Sequence, residues 1–170
     1  AEFYPGIQAI GYVALIPAAE LEQHVAAMRA EGFPDYSIHP PGERDLYSSV
    51  IYVEPFDWRN RRVIGFDLFT EPVRVAAASR ARDDNQAVMS DRVMLQQQTD
   101  RETLPGVLLF VPIYGRDPPL DTVQQRRTAL RGWVYAAIRI KDLIDNYLGI
   151  KYAELSQRLS LEVFSRDVQS

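Results

Sequence analysis

The chain reads as an α+β domain built on an antiparallel sheet. Apolar runs of strand length and helical runs follow one another as strand, helix, strands, helix, strands, helix. The later connections are of hairpin length, which favours antiparallel pairing over a doubly wound parallel sheet. The third feature is Gly106–Arg139, where two strongly apolar segments flank a polar arch with a short helical run. On the first segment Val107, Leu109, Val111 and Ile113 share one face, and Leu108, Phe110, Pro112 and Tyr114 share the other. Both faces are apolar, so a cover is expected on each.

The elements follow in order. Ile7–Ile16 is a buried strand ended by Pro17. Ala18–Glu31 is a helix with Leu21, Val25 and Met28 on one face, stopped by Gly32. Tyr36–His39 suggests a short strand before the Pro40-Pro41-Gly42 turn, and Leu46–Glu54 a longer one rich in β-branched and aromatic residues, closed by Pro55. A polar turn, Asp57–Arg62, and an apolar run, Val63–Phe69, lead to a helix capped by Thr70, with Glu71 and Pro72 in its first turn. Its Ala-rich body runs to Arg82 and exits through Asp83-Asp84-Asn85. Ala87–Ser90 and Arg92–Gln97 read as two strands or one bent strand, and Thr99–Pro105 as a hairpin loop. After the central stretch come a helix at Ile140–Leu148, a further helix at Tyr152–Arg158, and an alternating strand at Ser160–Phe164. In the second apolar segment, Gly132, Ala136 and Ala137 stand where bulky residues would fill space. Small residues facing large ones allow tight packing or keep a cavity open.

A chain of 170 residues, 46% hydrophobic and 25% charged, is ordinary globular composition for one domain, or two small ones sharing a core. The net charge of −4 argues against a nucleic-acid partner. The local exception is Arg59, Arg61 and Arg62, read as a solvated loop. With no cysteine there is no disulfide, thiolate metal site or cysteine nucleophile. No run approaches the ~20 apolar residues of a membrane span.

Catalytic patterns are missing. The scattered glycines make neither a phosphate-binding loop nor a dinucleotide fingerprint. Only His24 and His39 could serve as a base or as zinc ligands, and no G-x-S-x-G accompanies them. No pair among the acidic residues is singled out for glycoside chemistry.

Several motifs occur together in order: FYPGIQAIGYV near the start, AEGFPDYSIHPPGERDLYSSVIYVEP, GFDLFTEPVR, and LLFVPIYG followed by RRTALRGWVYAAI. The most specific are Gly65-Phe66-Asp67 with Thr70–Arg74, Val111–Tyr114, and Leu130–Val134. From about Phe3 to Leu148 the chain resembles the CHASE domain. The resemblance implies an extracytoplasmic, periplasmic sensor of an inner-membrane receptor, with a histidine kinase, diguanylate cyclase or adenylyl cyclase as cytoplasmic output. It implies PAS-like sheets in tandem modules, distal and membrane-proximal, after an N-terminal stalk helix that the present sequence lacks in large part, within a homodimeric receptor. It also implies a small-molecule ligand, cytokinin in plant members, and neither cofactor, metal nor catalytic residue.

Onto this sequence the resemblance carries Glu54 and Asp57 as the nearest positions to a ligand-binding loop aspartate, though the loop here is longer and differently spaced. Ser90 matches a pocket threonine. Tyr47, Ile51, Phe69, Leu108, Phe110, Tyr114, Gly132 and Tyr135 are candidate walls, with plain core packing as the alternative for each. The rival reading is a ligand-free dimerisation or spacer module.

Overall fold

The computed structural model describes residues 6–95, 105–140 and 142–143. Its elements are β1 (Ile7–Pro17), α1 (Leu21–Ala30), β2 (Leu46–Glu54), α2 (Pro72–Asp84), the two-residue strands β3 (Val88–Met89) and β4 (Val93–Met94), β5 (Pro105–Tyr114), α3 (Val123–Ala129) and β6 (Leu130–Ile138). The sheet order is β2-β1-β6-β5-β3, antiparallel at every pairing, with β4 also on β5. This is the PAS-like α+β architecture expected from the sequence. The sequence-distant β1 and β6 meet at its centre, with Val13 opposite Trp133 and Gly11 opposite Tyr135.

The two faces of the sheet are unequal. On the inner face Ala9, Val13, Val50, Val53, Leu108, Phe110, Trp133, Tyr135 and Ala137 are buried. In an unbroken strand Val50 and Val53 would point oppositely. A bulge lets Val13 pair with Val50 and Tyr12 with Tyr52, leaving Ile51 as the extra residue and resetting the alternation. Ala77, Ala78 and Ala81 of α2 join this core. Their small side chains let the helix approach until the Trp133 indole donates to the Ala78 carbonyl at 2.9 Å.

The expected cover on both faces is found on one. Val107 is buried on the outer face of β5, but Val111 and Ile113 are exposed, with Ile10 and Tyr52 beyond them. The outer face is screened at its other corner, where Ile16, Met28, Tyr36 and Tyr47 are buried beside α1.

Local differences from the sequence reading have identifiable causes. Residues 36–39 form no strand; His39 makes a single bridge to Phe66. Thr70 does not cap α2, because its hydroxyl donates to the Asp67 carbonyl at 2.7 Å, and the N-cap position falls to Glu71. The first helix begins as a 3-10 turn at Ala18–Glu20. The polar arch holds α3, opened by a capping box in which Gln125 N–H donates to Thr122 Oγ1 and Thr122 N–H to Gln125 Oε1. Arg126 donates to the Asp83 carbonyl at 2.8 Å and Arg127 to its carboxylate at 2.6 Å, so the arch is bolted to the end of α2. The hairpin loop at 99–105 lies almost wholly outside the described residues, as does most of the helix at 140–148, and the helix at 152–158 and the strand at 160–164 lie outside them altogether.

Candidate functional site

The candidate walls divide between different parts of the fold. Leu108, Phe110 and Tyr135 belong to the inner-face core, with Phe69 and Tyr114 at its margin. Phe69 meets Trp133 edge-on at 5.9 Å between ring centroids, and Phe110 lies 6.5 Å from Tyr135. The Tyr114 hydroxyl donates to the Arg82 carbonyl at 2.7 Å, joining β5 to the last turn of α2. Gly132 contributes backbone: a Cβ there would strike the Val13 carbonyl oxygen, so its smallness serves the close approach of β6 to β1.

The others lie apart. Tyr47 is on the outer face, its hydroxyl donating to the Gly42 carbonyl at 3.1 Å and accepting from Arg44 N–H. Ile51 sits at the bulge. Glu54 is exposed at the end of β2, opposite Ile10. Asp57 organises its own loop, its Oδ1 accepting from the amides of Arg59 and Asn60 at 2.9 and 2.8 Å, beside a hollow of about 240 Å³ shared with Gly6 and Arg139. Ser90 is buried, but its hydroxyl accepts from Leu108 N–H at 2.9 Å and donates to the Asp91 carbonyl at 2.7 Å, stitching β3 to β5.

A buried charged group that meets a core aromatic is Arg74. It is 4% exposed, and its guanidinium carbon lies 4.9 Å from the centroid of Phe66. Nε donates to Glu71 at 2.6 Å and Nη2 to the Met94 carbonyl at 2.8 Å. Burial pushes the Tyr135 phenol far above its ordinary range, and the Arg74 charge draws it part of the way back. A cation in the first turn of a helix opposes the helix dipole. That placement was the available signal that Arg74 has a specific partner.

A CHASE domain family model matches residues 1–170. The chain belongs to the CHASE domain family. CHASE domains are extracellular sensor domains of receptors, so this chain is a sensor module and not a catalytic one. No curated protein matches it. Among the described residues no helix is long and apolar enough to cross a membrane.

The motifs that mark this CHASE domain are structural where the geometry shows them. Asp67 is fully buried, and its Oδ1 accepts from Ser48 N–H (3.1 Å), Ser48 Oγ (2.8 Å) and Phe69 N–H (3.0 Å), while Arg44 approaches Oδ2 at 3.4 Å. At Gly65, φ is +87° and a Cβ would collide with the Ser37 carbonyl oxygen. Asp67 and Gly65 therefore dock the segment before α2 onto β2.

Proposed function

We propose that this CHASE domain is the periplasmic ligand-binding part of an inner-membrane receptor, taking a small molecule between the inner sheet face and α2. Arg74 carries the reading: a buried guanidinium over Phe66, its charge felt by the Tyr135 phenol, at a core that holds Phe69, Leu108 and Phe110, is the apolar wall with a few placed polar groups that small-molecule sites use. In this conformation those side chains pack against one another, so a ligand enters by parting them and binds the opened arrangement. The backbone supplies a route outward. Arg139 N–H donates to the Gly6 carbonyl at 2.9 Å, so the entry to β1 and the exit from β6 are tied together. A shift of the central β1–β6 pair moves both chain ends toward a stalk and a membrane-proximal module, and differential affinity of ~1–3 kcal/mol suffices as a signal to a cytoplasmic kinase or cyclase.

Thermal unfolding across nucleobases, amino acids and carboxylates tests this, because a ligand at 100 times its Kd stabilises by ~2.7 kcal/mol. The expected result is a saturable rise in Tm, reduced by Tyr135→Phe. No rise with any compound counts against an inner-face site.

The exposed outer-face residues Ile10, Tyr52, Val111 and Ile113 favour a second reading, a dimerisation or spacer module without ligand. Sedimentation equilibrium distinguishes it: a dimer disrupted by Val111→Lys, with no ligand response, selects the second reading.

A further inference from the structure

A separate hollow of about 610 Å³ lies outside the sheet, between the turn after α1 and the loop after β2. Its first wall begins where α1 ends: Gly32 N–H donates to the Arg29 carbonyl and Phe33 N–H to that of Met28, a Schellman stop that reverses the chain into Phe33 and Asp35. The opposite wall is held by buried Asn60, whose side chain donates to the Pro55 carbonyl at 2.8 Å, and by the Asp57 turn. These contacts present Phe56 and, on the 3-10 turn Asn60–Val63, Arg61 and Arg62.

The chemistry of the walls is paired. Phe33 and Phe56 meet edge-on at 5.9 Å, and the Arg61 guanidinium lies 4.9 Å from the centroid of Phe56. Arg61 and Arg62 line one side, and Glu31 and Asp35 belong to the other. Among the described residues none of these four forms an ion pair with another protein group. Two cations, two anions and an aromatic pair around one hollow match a ligand carrying an anion, a cation and a ring.

We infer that this hollow binds a free α-amino acid with an aromatic side chain. The carboxylate meets Arg61 and Arg62, the ammonium meets Glu31 and Asp35, and the ring rests against Phe33 and Phe56. This goes beyond the inner-face reading and does not depend on it, since none of these residues lies in that core.

Isothermal titration of the whole chain with L-phenylalanine tests the inference, beside 3-phenylpropionate, which lacks the ammonium, and 2-phenylethylamine, which lacks the carboxylate. Saturable binding of L-phenylalanine is expected, with each analogue weaker by about tenfold or more, since each loses charge-assisted hydrogen bonds. Arg61→Ala with Arg62→Ala should weaken L-phenylalanine by a similar factor and leave its difference from 2-phenylethylamine small. Both arginines are exposed, so an unchanged urea midpoint is expected and shows that the variant folds. No heat of binding with L-phenylalanine overturns the inference. So does binding of 3-phenylpropionate as tight as that of the amino acid, or an arginine variant that folds and binds undiminished.

Discussion

Replacing Asp67 by alanine tests whether the segment before α2 is held by polar contacts or by its apolar neighbours alone. In the native fold three donors converge on Oδ1. Phe69 N–H has a second acceptor in Ser48 Oγ at 3.1 Å, so it keeps a partner after truncation. The Ser48 amide does not, and the Ser48 hydroxyl loses its acceptor at a position with no exposure. Arg44, with a side chain 23% exposed, regains water and adds little. One buried amide and one buried hydroxyl left unsatisfied, at ~1–3 kcal/mol each but with the hydroxyl free to rotate, give a loss of ~2–4 kcal/mol. Set against a total of ~5–15 kcal/mol this is a large fraction. With a urea m-value of ~2 kcal/mol/M, the unfolding midpoint should fall by ~1–2 M at unchanged slope. Asp67→Asn keeps an oxygen for the Ser48 amide but turns an amide toward Arg44, so its loss should be smaller, ~1–2 kcal/mol. An Asp67→Ala midpoint within ~0.3 M of the parent would refute the argument.

Two further outcomes follow from the fold. Gly132→Ala places a methyl group against the Val13 carbonyl, so β6 must shift away from β1; a fall in Tm with loss of amide-exchange protection across that pair is expected, and unchanged protection would contradict it. At Asp83 the Arg127 hydrogen bonds, then that from Arg82, hold the carboxyl well below its ordinary range. A depressed folded-state value stabilises above the unfolded pKa of about 3.9 and is lost as pH falls through the folded value, so the stability gap between the parent and Asp83→Asn should be constant near neutrality and close on acidification below about pH 4.

Much of the candidate site was legible as composition but not as placement. The apolar run of β5 marked a core strand without saying which of its faces is covered, and the Ala-rich run located the helix that covers one of them. Ser90 was named only through its match to a pocket threonine, and what it bonds depends on β3 lying beside Leu108, eighteen residues on. Arg74 stood in a recognised motif, and its role emerged only when β4 supplied the Met94 carbonyl. The hollow between Phe33 and Phe56 joins two loops whose approach no local pattern encodes.

By itself the sequence determined what repeats at short range: strand against helix by period, the Pro17 and Gly32 boundaries, the family through ordered motifs, and the absence of cysteine. Tertiary structure alone decided which face of each strand is covered, because burial depends on partners far along the chain. Val111 and Phe110 are neighbours with similar hydropathy, one exposed and one buried, since α2 packs over only one side of the sheet. It also decided that Gly132 serves strand approach, because the carbonyl it must clear belongs to Val13, at the other end of the sequence.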